Sequence, residues 1–242
     1  DGQERLIEAA TGYAPTRATA IDLLTGGERT FEALFDAVAG ARESIHLEYY
    51  IYEPDSVGTR LRDLLAERAR AGVQVRLLLD GLGSRQCSPR FLKPLRDAGA
   101  EVAWFHPLKL GHLLWRPTLN LRTHRKIAVI DGRTGFTGGV NISDLQSERV
   151  SAAAFHDLHL RLEGEIVRAL QMAFAEDWHY ATGRKLDAAA HWPALPVGDI
   201  RCQLVPSGPD NPLAAIHRLH VEALHNAKRR VWLMTPYFVP DA

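Results

Sequence analysis

Helical and strand periodicities alternate along most of this chain, which restricts it to an α/β architecture before any motif is considered. Phe31, Leu34, Phe35 and Val38 recur at helical spacing within Glu28–Ala39. The run from Ser44 to Tyr52 reads as a strand closed by Pro54. A helix from about Thr59 to Ala71 stops at Gly72. Val73–Leu79 is an apolar strand before Asp80-Gly81, and a short helix near Phe91–Ala98 leads into the strand Glu101–Phe105. This β-α-β-α-β order predicts a mixed, largely parallel sheet flanked by helices. Strands near Thr123–Ile130 and Thr134–Thr137 are joined by Asp131-Gly132, a strong hairpin signal. A strand from His156 to Leu162 and a helix from Glu165 to about Tyr180 complete the pattern.

Residues 183–199 lose this pattern and carry Pro193, Pro196 and Gly198, so they read as a linker between a first domain, 1–182, and a segment 200–242. That segment has the form of an incomplete second copy. Phe35–Asp55 overlays Val221–Asp241 without a gap, with five identities in twenty-one positions, Pro54-Asp55 meeting Pro240-Asp241 among them. The expectation is a protein that continues past Ala242. The first residue is Asp1 rather than Met, so an N-terminal anchor outside this sequence is compatible with it. No stretch approaches the roughly 20 apolar residues that span a bilayer. Twenty-nine basic side chains balance 29 acidic ones, which argues against a nucleic-acid partner. Cys87 and Cys202 are too few for a disulfide framework or a zinc site, consistent with a cytosol-facing location.

The chemistry lies in the segment from Asn120 to Asp144. Strand alternation puts His124 and Lys126 on one face. A neutral imidazole can attack phosphorus while the neighbouring ammonium holds the anionic oxygens. Across the hairpin, Gly138-Gly139 permits close approach of a ligand to the backbone, and the Asn141 amide can donate to a phosphoryl oxygen. Asp131 falls off the His124–Lys126 face, and the Asp-Gly turn gives it a structural task. Glu48 shares a strand face with His46 and is a candidate orienting group, with an ordinary buried hydrogen bond as the simpler role. Asp157 lies on an otherwise apolar strand, where an acid needs a partner. The segment from Pro107 to Pro117 mixes Leu108, Leu110, Leu113, Leu114 and Trp115 with Lys109, His112 and Arg116, a composition suited to a bilayer interface or to packing on the protein itself.

The spacing His124-x-Lys126-x4-Asp131-x6-Gly138-Gly139-x-Asn141 resembles the signature of the phospholipase D superfamily. With Asn120, Arg122 and Ile142, it is similar to the first motif of bacterial cardiolipin synthases. The similarity extends through Tyr49-Tyr50-Ile51, Asp157-Leu158-His159, Asp177-Trp178 and Thr235–Asp241. It implies a phospholipase D-like fold in which His124 forms a phosphohistidine, assisted by Lys126, Asp131 and Asn141. It also implies that Asp157 orients a catalytic imidazole, which can be the one from a second motif. That second motif would come from a further C-terminal half or a partner chain. Neither cofactor nor metal is implied. The implied substrate is phosphatidylglycerol at a bacterial membrane surface, on the cytoplasmic side. Hydrolysis by the same residues, cleavage of nucleic acid and a non-catalytic lipid-binding module remain as alternatives.

Overall fold

The computed structural model describes residues 2–107, 123–207 and 215–235. They form two compact units, Pro15–Leu204 and a smaller one from the two chain ends. The larger unit holds one eight-stranded sheet in the order β4-β3-β2-β5-β6-β7-β1-β8. The strands are β1 Thr16–Thr25, β2 Ser44–Tyr49, β3 Gln74–Asp80, β4 Glu101–Phe105, β5 Lys126–Ile130, β6 Thr134–Gly138, β7 Leu158–Gly164 and β8 Ile200–Cys202. Helix α2 (Gly27–Ala39) lies between β1 and β2; α3 (Ser56–Arg70), α4 (Pro89–Asp97) and α5 (Ile166–Thr182) follow β2, β3 and β7. In the smaller unit, α1 (Gly2–Thr11) packs against α6 (Ala215–Asn226).

The α/β class and the mixed sheet agree with the sequence, but parallel pairing is narrower than expected. Only β2–β3 and β3–β4 are parallel; the other five pairs are antiparallel. The β-α-β rule governs only strands joined by a helical crossover, and the chain reverses at each step of β5–β6–β7. The ten-residue β1, absent from the sequence reading, inserts between β7 and β8. Its register slips between Ala18 and Ala20, and Leu23 stands 55% exposed, so no clean alternation marks it.

One face of the sheet packs on α2, α3 and α4 through Leu34, Val38, Leu47, Leu61, Leu77, Leu79 and Phe136. The other packs on α5, where Phe174 stacks on His46 at 5.0 Å between ring centres. Burying one such leucine or phenylalanine is worth about 1.5–3 kcal/mol. Residues 183–199 pack onto the sheet rather than bridging two bodies. His191 is buried and accepts from Arg76 Nη1 at 3.3 Å, and β8 joins the same sheet immediately afterwards. Among the described residues 227–235 no strand forms, and the end of the repeat overlay lies outside the described residues, as do 108–122.

Asp131 is fixed by the turn that joins β5 to β6. Positive φ at Asp131 (53°) and Gly132 (62°) closes the turn with an Arg133 N–H bond to the Ile130 carbonyl at 2.9 Å. The Asp131 carboxylate accepts from the backbone amides of Arg42, Glu43 and Ser44, which tethers the entry of β2 to the end of β5. Asp131→Asn turns an amide donor toward these N–H groups. It should lower the unfolding free energy by about 1–3 kcal/mol in denaturant titration, with activity of the folded fraction retained.

Candidate active site

Register brings the motif residues into one row. Tyr49 of β2 pairs with Lys126 of β5, and His159 of β7 pairs with Gly138 of β6. Ile127 faces Thr137, so one further step sets Lys126 beside Gly138. Tyr49, Lys126, Gly138 and His159 therefore share a sheet face, because directly paired residues point to the same side. His124 precedes β5 at the same end and stacks on Tyr50, with ring centres 3.9 Å apart. Lys126 Nζ donates to the His124 carbonyl at 2.8 Å and lies 5.7 Å from the Tyr50 ring centre. The site thus forms where β2 and β3 end and β5 begins, the edge at which open α/β sheets bind ligands.

Electrostatics favour a neutral His124 ring. Burial, then the Lys126 charge, lowers the His124 pKa, against an opposing pull from Asp80. Burial also lowers the Lys126 pKa, opposed by the Asp157 carboxylate. Asp157 accepts from the Leu158 amide at 2.8 Å and lies beside Gly139. His159 is 1% exposed, and burial followed by the Lys126 charge lowers its pKa to about 3, so its ring is neutral.

Gly138 and Gly139 lie where the chain passes close to its own neighbouring strand. A Cβ on Gly138 would come within 2.8 Å of His159 Nδ1, and one on Gly139 within 1.9 Å of Asp157 Oδ1. Both therefore allow close approach of β6 and the residue after it to His159 of β7 and to Asp157, which precedes that strand. Asn141 Oδ1 accepts from the Ile51 amide at 3.1 Å, which leaves its NH2 end as a donor.

Glu48 is fully buried on the opposite face and accepts from the Thr123 hydroxyl at 2.5 Å. Asp177 of α5 adjoins Glu48 and forms an ion pair with Arg125. Residues 123 and 125, on either side of His124, are thereby anchored from below. Asp177 carries half of that anchor, while its neighbour Trp178, 1% exposed, packs in the core. Burial, then the Asp177 charge, raises the Glu48 pKa well above its usual range. Tyr50, Asp80 and His159 were not assigned roles from the sequence. Tyr50 and His159 lay in stretches that carried the resemblance, and Asp80 ends a parallel strand, which was the available signal.

Asn120 and Arg122 lie outside the described residues. Among the described residues, no group of three or more His, Cys, Asp or Glu is arranged to hold a metal ion. No described helix is long and apolar enough to cross a membrane.

The sheet and this site define a phospholipase D-like domain. Solved structures with the same fold include the phosphatidylserine synthase of Haemophilus influenzae Rd KW20 (TM-score 0.55, 14% identity, covering 81% of this chain and 44% of that one). NucT from Helicobacter pylori is another (TM-score 0.51, 17% identity, 67% and 97%). The family model described as "Cardiolipin synthase, PLD-like domain" matches residues 34–178, and the chain belongs to that family. It is 42% identical over 246 residues to a cardiolipin synthase of Geobacillus sp. (strain WCH70), covering 99% of this chain and 49% of the relative. It is 40% identical over 231 residues to the major cardiolipin synthase of Bacillus subtilis (strain 168), with 94% and 48% covered. The chain spans about half the length of the curated relatives it matches.

Two titrations test this site. The His124 ring should titrate below its ordinary value of 6.5 by NMR, and Lys126→Met should raise the midpoint. For Glu48, a raised folded pKa means that the folded state holds its proton more tightly than the unfolded chain. Its contribution is fully present below the unfolded value near 4.5 and is lost as pH rises through the folded pKa. Glu48→Gln keeps an acceptor for Thr123 but cannot ionise. Its stability relative to the unaltered protein should therefore improve between pH 5 and pH 8 in denaturant titrations.

Proposed function

We propose that this domain supplies the nucleophilic half of a phosphatidyltransferase that makes cardiolipin from two phosphatidylglycerols. The observation that carries the reading is a neutral imidazole, His124, stacked on Tyr50 and adjoining the ammonium of Lys126. The chain's membership in the cardiolipin synthase family supports the same reading.

In the first step, a neutral ring nitrogen of His124 attacks phosphorus and the P–O bond to the glycerol headgroup breaks, leaving a phosphatidyl-histidine. Lys126 holds the charge that develops on the phosphoryl oxygens, and the Asn141 NH2 group can donate to one of them. A second imidazole protonates the departing glycerol oxygen. It then takes the proton from the incoming hydroxyl, whose oxygen displaces His124. That second group comes from a second motif, in a further part of the protein or in a partner chain. Asp157, within electrostatic reach of Lys126, is the residue we assign to orient it. The substrate places the site at a bacterial membrane surface, reached peripherally or through an anchor outside this sequence.

In the complete protein on phosphatidylglycerol vesicles, His124→Asn should abolish cardiolipin formation while leaving the melting temperature nearly unchanged. Lys126→Ala should lower turnover by about 100-fold, as for one lost oxyanion contact. Phosphatidic acid as the sole product of the unaltered protein would replace synthesis with hydrolysis. Near-normal turnover by His124→Asn would remove the assigned nucleophile.

A further inference from the structure

A cleft of about 390 Å³ lies beside Ile51, and apart from Asn141 its lining residues have no part in the proposed transfer. Ile51, which follows the Tyr50 that stacks on His124, forms part of its wall beside Asn141, whose Oδ1 accepts from the Ile51 amide. Its volume lies within the range of small-molecule sites.

The polar groups around it divide into acceptors and donors. Gln146 is only 6% exposed, and its Oε1 has no hydrogen-bond partner among the described residues, an expensive state for a buried amide oxygen unless a ligand fills it. Glu53 adds a carboxyl group, hydrogen-bonded by Gln86, whose pKa is raised by burial and by the neighbouring Asp55 charge. Asp55 is held in place by the cap of α3. Its Oδ1 accepts from Gly58 N at 3.0 Å and its Oδ2 from Asp144 N at 2.6 Å. On the donor side are the Asn141 NH2, left over once Oδ1 is bound to Ile51, and the Gln86 amide. Phe155, 57% exposed, supplies an apolar wall.

We infer that this cleft binds the hydroxyl-bearing headgroup of the incoming acceptor, a glycerol-type polyol, and so selects which alcohol receives the phosphatidyl group. A hydroxyl both donates and accepts, so vicinal hydroxyls can satisfy Gln146 Oε1 and Glu53 while taking hydrogen bonds from Asn141 and Gln86. An ammonium headgroup only donates and would leave the Asn141 NH2 without an acceptor. An anionic group would face the Glu53 and Asp55 carboxylates, so the phosphate stays at Lys126. The carbon backbone of the polyol rests on Phe155.

The inference rests on the transferase reading, and one experiment separates the two. The complete protein is given a phospholipid donor with glycerol, ethanolamine or ethanol as competing acceptors, and hydrolysis to phosphatidic acid is measured in the same samples. Gln146→Leu and the half-exposed Glu53→Ala should each lower the preference for glycerol over ethanol by about tenfold, the equivalent of one hydrogen bond. Hydrolysis and melting temperature should stay close to those of the unaltered protein. An unchanged preference in folded Glu53→Ala, with transfer intact, overturns the polyol site alone. A selective loss of ethanolamine transfer overturns it in favour of an amine site. Absence of transfer to any alcohol by the unaltered protein overturns the transferase reading and this inference with it.

Discussion

The site depends on a carboxylate that lies at the far end of its strand. Asp131 gathers three successive backbone amides, Arg42 to Ser44, and so binds the first residue of β2 to the turn that ends β5. With that end held, the β2–β5 register sets Ile45 opposite Ile130 and Tyr49 opposite Lys126. A slip of one residue would turn Lys126 to the α5 face and remove Tyr50 from His124. A charged acceptor shared by several N–H donors is among the stronger hydrogen-bonding arrangements a protein can make. The aspartate of the signature thus holds the register of β5 on β2.

Beneath the sheet a second set of polar contacts does for height what Asp131 does for register. Thr123 and Arg125 reach down to Glu48 and Asp177, while His124 between them faces the other way onto Tyr50. A few residues along β2, His46 accepts from Arg76 at 3.1 Å and faces Gln171 of α5; burial lowers its pKa to about 3. The α5 face of the central strands is therefore polar but closed, its histidine neutral and its glutamate biased toward the protonated form. Such networks favour one geometry over near alternatives, because a half-satisfied arrangement leaves buried polar atoms unpaired.

Much of this was legible in the sequence where the signal was local. The Asp131-Gly132 turn followed from two adjacent residues, while His124, expected within the strand, precedes β5. The β-α-β run from Ser44 to Phe105 was readable because its helices are amphipathic and its strands apolar. What escaped needed partners distant in sequence. The contact of Tyr50 with His124 exists only once β2 pairs with β5. Gly138 and Gly139 could be seen to permit close approach, but the protein groups beside them, His159 of β7 and Asp157 just before it, are brought there by strand pairing. Strand β1 was missed because a bulge and an exposed Leu23 blur its period. The tail of 183–199 looked like a linker because prolines and a glycine punctuate it, while its single buried histidine, His191, bonds to Arg76 and holds it to the sheet.

The place of β1 in the sheet has a consequence for the order in which the domain is made. Its residues, 16 to 25, pair with Leu158–Gly164 on one side and Ile200–Cys202 on the other. The ribosome releases β1 well over one hundred residues before either partner, a delay of roughly ten to thirty seconds at ordinary synthesis rates. The local β2-α3-β3-α4-β4 layer has time to collapse in that interval. Strand β7, which carries His159 and follows directly after Asp157, becomes the middle of a sheet only when β1 closes over it. Completion of the reacting edge therefore waits on the oldest strand of the domain finding one of its newest, and nascent β1 is the segment for which a chaperone holding early apolar chain would matter most.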